Sequence, residues 1–333
     1  VAESLKGARP ESAPATILRL TAARWIFVLC ATLALAIPIL TTNDFFITVL
    51  TEALIFGIWA MSLDLLVGYT GLVSFGHAAG FGLGAYAAGL FAQNISAEFI
   101  LTLLAAQIIV ILVAFATGFV VTRLSGIAFA ILTLCICQVL FQIAVVWRSV
   151  TGGLDGLIGA PLPEIFGRAL EPGREFYLLT VSTLIIVYLG LRRFVDSPFG
   201  RTLQAIRSNE DRASAIGINV RLHKWVVFII SWMVAGIAGT LFVFLKAGAN
   251  PMSLYWLESG NVLAMTILGG MGTLYGPIIG AIVFVFLRDE MTTLFRAWQF
   301  TFGLVFVLVI LLLPSGLAGI VSRIRSQFWT SRY

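Results

Sequence analysis

Charge is scarce in this chain. Asp, Glu, Lys and Arg together make up 11% of its 333 residues, against about 25% in an ordinary soluble domain. That shortage excludes a soluble enzyme, a nucleic-acid-binding module and a disordered tail. Lysine is rarer still, with only Lys6, Lys224 and Lys246. A phosphate-binding loop needs its lysine inside G-x-x-x-x-G-K-[ST]. No lysine here has that context, so the chain is not expected to hydrolyse ATP itself and no cofactor is expected on it. The histidines, His77 and His223, are too few for a histidine-rich metal site. The cysteines Cys30, Cys135 and Cys137 all lie in apolar runs. Residues two apart on a helix point about 200° apart, so Cys135 and Cys137 do not share a metal easily. All of them read as small buried residues.

What the chain has in quantity is apolar side chains, 59% of the total. That is roughly 196 residues, and a helix crossing a bilayer uses about 20, so there is material for about eight to ten spans. The runs are continuous, without the alternation of an outer-membrane strand. The expected fold is therefore all-α: a polytopic helical integral membrane protein surrounded by lipid. Spans are expected at 24–40, 45–67, 72–92, 99–122, 126–147, 176–194, 224–245, 257–271, 276–292 and 299–313. The first is read as a retained span, because a cleaved signal would begin its apolar core earlier and end at small residues. Residues 1–23 and 314–333 are read as tails, and 24–313 as the membrane domain. The net charge of +5 reflects loop arginines that set orientation rather than nucleic-acid binding. The longest charged stretch, 192–224, holds Arg192, Arg193, Arg201, Arg207, Arg212, Arg221 and Lys224 against Asp196, Glu210 and Asp211. By the positive-inside rule it is cytoplasmic. With ten crossings both termini fall on that side too.

Glycine breaks the apolar mass in two places. In GYTGLVSFGHAAGFGLGAY, Gly68, Tyr69 and Gly71 are expected to interrupt the helix, with Ser74 and His77 following. Gly76, Gly80 and Gly84 then recur every fourth residue, a spacing that lets helices pack backbone to backbone. The counterpart is LGGMGTLYGP, with Gly269, Gly270, Gly272 and Gly276 running on to Gly280. Two glycine-interrupted hydrophobic stretches, one in each half of a chain, point to a transport pathway. Unwound backbone at membrane depth is tolerated where it is buried or lines a cavity.

Ionisable groups inside the apolar runs are candidates for function or for structural hydrogen bonding. Glu52 falls about 10 Å into its span. Asp64 is expected near the cytoplasmic end, within reach of water. The two are about 120° apart around the helix, so they do not form a carboxylate pair. Glu258 opens a later run, near the outer interface. Between Ser197 and Asn219, Leu203, Ile206 and Arg207 share a helical face, and Glu210, Ala213 and Gly217 continue at helical spacing. This reads as a short amphipathic helix against a cytoplasmic partner, or as a solvated helix on the membrane surface.

Taken together, LLVGYTGLVSFGHAAGFGLGAY (65–86), GGLDGL (152–157), SPFGRTLQAIRSNEDRASAIGINV (197–220) and ILGGMGTLYGPIIGA (267–281) resemble the permease subunits of branched-chain amino acid ABC importers, of the LivM type. The resemblance covers about residues 50–290. It implies that 196–222 is the segment that couples to an ATPase subunit, with Gly200, Arg201, Ile206, Arg207, Glu210, Asp211, Ala213 and Gly217 carrying the role. It implies a translocation pathway at Asp64, the two glycine segments and His77, with a weak, mainly apolar lining. The implied partners are a second, homologous permease, two ATP-binding subunits that hold ATP and Mg, and a periplasmic substrate-binding protein. The implied location is the bacterial inner membrane. The family also includes importers of urea, short amides and small carboxylates. A self-sufficient secondary transporter using Glu52, Asp64 and His77 as a proton or ion relay is the alternative from another class.

Overall fold

The computed structural model describes residues 43–294, together with 32, 35–38, 41, 300, 303–304, 307 and 316–319. The chain divides into two compact units, 1–43 and 44–333. In the first, 35–38 are helical. Most of the expected spans 24–40 and 299–313, and nearly all of both tails, lie outside the described residues.

In the second unit every expected span from 45–67 to 276–292 corresponds to a helix. In chain order these are α1 (Asp44–Thr70), α2 (His77–Asn94), α3 (Phe99–Val121), α4 (Gly126–Val146) and α5 (Arg174–Asp196), then α8 (Val220–Lys246), α9 (Trp256–Gly269) and α10 (Tyr275–Leu294). Between α5 and α8 lie two short helices, α6 (Pro198–Ser208) and α7 (Glu210–Ala215). Among the described residues α1, α3, α4, α5 and α8 are long and apolar enough to cross a membrane. The 14 residues of α9 rise only about 21 Å, short of the ~30 Å hydrocarbon core. A glycine loop joins it to α10.

The centre of the unit is α1, which is buried on every side from Val49 to Thr70, as a helix apolar all round should be. It packs against α5, α8, α9 and α10, and α2 lies along α8. The outer helices α3 and α4 expose large apolar side chains such as Leu104, Leu112, Ile127 and Val139, the surface a bilayer solvates. At one end of the bundle sit the arginine-bearing segments 122–125 and 196–219. At the other, the 147–173 connection and the turn after α8 are stitched together by an antiparallel pair, Leu157–Ile158 with Gly248–Ala249.

Two expectations change here. The first break is not at Gly68–Gly71: α1 runs through Gly68 and Tyr69 to Thr70, and the unwound stretch is 71–76. Gly71 (φ +74°) ends the helix in the left-handed conformation that glycine adopts at helix C-termini, and Leu72 N–H turns back to donate to the Leu66 carbonyl at 2.9 Å. The coupling segment is not one helix. Asn209 is extended (φ −165°, ψ 108°) and separates α6 from α7, accepting from Arg212 N–H to start the second. Its apolar face is also not waiting for a partner: Leu203 and Ile206 are buried against this chain.

Candidate functional site

At the arginine-bearing end, the C-terminal turns of α1, the loop 270–274 and α6 converge. Asp64 is fully buried, against the expectation that water reaches it. Its carboxylate accepts from Gly272 N–H at 2.7 Å and Leu274 N–H at 3.2 Å. The loop can come this close only because position 68 lacks a side chain: a Cβ there would overlap both the Asp64 carboxylate and the Gly272 nitrogen. Gly272 itself adopts φ +78°, a conformation that costs other residues strain. One turn further along α1, the Gly68 carbonyl accepts from the Arg207 guanidinium. The first glycine segment, the second glycine segment and the coupling segment therefore meet at one point. Gly68, Tyr69, Gln204, Arg207, Ser208 and Gly272 line an open pocket of about 340 Å³ there.

The glycines beyond this point are closely packed. A Cβ at Gly84 would overlap the Gly236 carbonyl of α8, and one at Gly80 would press on Trp232 at 3.2 Å. Gly76 precedes α2 and packs on the Thr133 backbone of α4. Gly269 and Gly276 pack on each other where α9 meets α10, and Gly270 (φ +115°) ends α9. Ser74 is buried, accepting from Gly76 N–H at 3.3 Å. His77 is buried, with Nε2 2.7 Å from Ser62 Oγ and Nδ1 without a partner among the described residues.

The coupling residues divide by orientation. Ile206 and Ala213 are buried in a small core with Val220 and Ile218. Gly200 sits hard against the Val195 carbonyl. Glu210 is half-exposed and lies 2.5 Å from Lys224 Nζ and 3.1 Å from Ser125 Oγ. Lys224 is 2% exposed, so removing Glu210 would leave a buried cation unpaired. Arg201, Asp211 and Gly217 are exposed. Gly217 (φ +88°) closes α7, with Ile218 N–H donating to the Ala213 carbonyl at 3.2 Å. Ile216, not singled out in the sequence, is the large apolar side chain left exposed beside it.

Glu52, toward the opposite end of α1, is paired with Lys246 of α8 and Arg288 of α10, each at 2.6 Å. No direct hydrogen bond links any two of Glu52, Asp64 and His77 among the described residues.

The sequence profile of the family described as "Branched-chain amino acid transport system / permease component" matches residues 45–314. The high-affinity branched-chain amino acid transport system permease protein LivM of Escherichia coli K12 is 29% identical over 308 residues, covering 86% of this chain and 72% of that protein. Its counterpart from Salmonella typhimurium is 28% identical over 294 residues, 81% of this chain and 69% of that protein. The xylose transport system permease protein XylH of Haemophilus influenzae is 31% identical over 127 residues, 37% of this chain and 33% of that protein. No solved structure matches the chain.

Proposed function

The chain belongs to the family of branched-chain amino acid transport permease components, and from that membership we propose how it works: as the membrane subunit of an ABC importer for branched-chain amino acids, energised by separate ATP-binding subunits. It lies in the inner membrane, termini and arginine-bearing end in the cytoplasm, beside a second, homologous permease. A periplasmic binding protein delivers substrate at the other end. The chain supplies pathway and docking surface and catalyses no reaction, in keeping with the missing phosphate-binding lysine.

The observation that carries the mechanism is the meeting of Arg207, Gly68, Asp64 and Gly272. Exposed Arg201, Asp211, Ile216 and Gly217 present the docking face. Ile206, Ala213 and the Glu210–Lys224 pair hold that face to the bundle, so an ATPase that moves it moves a rigid unit. Arg207 passes the displacement to α1, and Asp64 passes it to the 270–274 loop. Opening the cytoplasmic end then follows from parting the loop that Asp64 holds by hydrogen bonds.

The test is reconstitution. Proteoliposomes holding this chain, its partner permease, the ATP-binding subunits and a leucine-loaded binding protein are expected to accumulate leucine only with ATP inside the compartment that the ATPases face. Liposomes with this chain alone are expected to accumulate none. Uptake by the chain alone, driven by a proton or sodium gradient, would establish the secondary transporter instead.

A further inference from the structure

A cavity of about 400 Å³ lies at the end of the bundle away from α6 and α7, within the range of about 300–1,000 Å³ found for small-molecule sites. Apolar side chains make up most of its lining, and charged ones interrupt them. One wall is aromatic: Phe56, Trp59, Phe81 and Phe242 line it, with Trp59 stacked on Phe81 at 4.2 Å and Phe56 stacked on Phe242 at 5.7 Å between centroids. Lys246 and Arg288 line it too, each with one bond to Glu52. Two cations sharing one carboxylate leave a positive excess, and both keep donors to spare, since an ammonium has three and a guanidinium five. Facing into the same space are Asp155, from the GGLDGL segment, and Glu258, from the first turn of α9. Glu258 accepts only from the Asn261 amide, at 3.1 Å, and neither carboxylate has an ion pair among the described residues.

Two cations that share a single carboxylate, two carboxylates without ion pairs and an aromatic wall around one cavity match the three parts of one ligand type. We propose that the cavity is a transit site for a zwitterionic α-amino acid with an apolar side chain. Lys246 and Arg288 take the α-carboxylate, Glu258 and Asp155 take the α-ammonium, and the side chain lies on the aromatic wall. The assignment rests on the importer reading and adds the residues that receive the substrate after the binding protein releases it. The strand pair 157–158 with 248–249 fixes the rim, holding Asp155 near the turn that follows Lys246.

Saturation-transfer NMR on the assembled importer in nanodiscs, without binding protein, tests this with three probes. These are L-leucine, 4-methylpentanoate, which lacks the ammonium, and isoamylamine, which lacks the carboxylate. The wild-type importer is expected to prefer leucine over each half-ligand by about tenfold, the scale of one lost charge-assisted bond. Glu258→Gln combined with Asp155→Asn is expected to shrink the preference over 4-methylpentanoate to less than about twofold, and Glu258→Asp to keep it. Neither change breaks an ion pair, and binding-protein-stimulated ATP hydrolysis is measured alongside as the check on assembly. Equal signals from the three probes in the wild type, or an undiminished preference in the double variant, would overturn the site. Leucine binding with the expected selectivity but no ATP-dependent uptake would leave the site standing and remove the importer reading.

Discussion

Asp64 holds a loop that is 208 residues away in sequence, and it does so with a carboxylate that water does not reach. A buried donor stripped of its acceptor costs about 1–3 kcal/mol, and Asp64 serves two such donors, at Gly272 and Leu274. Asp64→Ala is therefore expected to cost at least about 2 kcal/mol, and Asp64→Asn, which keeps one acceptor oxygen, about half of that. Thermal unfolding of the purified chain in detergent measures both. An alanine variant as stable as the wild type would mean that the loop finds other acceptors. Little of this was legible in the sequence. Asp64 stood out as an acid in an apolar run, but nothing local indicates which backbone it serves, because the acceptor and its donors are brought together only by the packing of α10 on α1.

The helices themselves were legible, because a continuous apolar run of about 20 residues has little choice in lipid. The stripe Gly80–Gly84 was legible too, and the structure shows it as a surface of close approach: the opposing surface on α8 is Trp232, Gly236 and Gly239, and a Cβ at Gly239 would overlap the Phe81 carbonyl. The position of the break was not legible, since Gly68 and Gly71 look alike as letters. Gly68 is needed for its missing side chain and Gly71 for its backbone angle, and only Gly71 ends the helix. Two glycines on packed and open faces separate these ideas. Gly84→Ala forces a methyl into backbone, and overpacking of that kind costs about 1–3 kcal/mol. Gly190 of α5 has nothing within 4 Å of an added Cβ, so Gly190→Ala is expected to be neutral or to gain up to about 1 kcal/mol from helix propensity. Unfolding midpoints of the two variants side by side decide it; similar losses at both would show that the spacing does not mark an interface.

At the scale of the whole molecule, the scarce charge is placed rather than scattered. One cluster, Glu52 with Lys246 and Arg288, ties three helices at one end. Another, Glu210 with Lys224 and Ser125, fixes the 196–219 segment at the other. Among the described residues, Arg207 makes the hydrogen bond that ties that segment to the helix running between the two ends. If motion is passed through this contact, losing it should separate the two activities of the assembled importer without dismantling it. Arg207 is exposed apart from its bond to Gly68; its loss takes a cation away from the buried Asp64 carboxylate, but Asp64 keeps its bonds from Gly272 and Leu274 N–H, so Arg207→Ala is expected to fold. ATP hydrolysis is expected to stay within about twofold of wild type, while leucine uptake per ATP falls about tenfold, the scale of one hydrogen bond from a charged donor. Arg207→Lys, which keeps a donor but not the reach and planarity of the guanidinium, should fall between the two. A proportional loss of hydrolysis and uptake would place Arg207 in assembly instead, and unchanged uptake per ATP would move the coupling route to the Glu210–Lys224 pair.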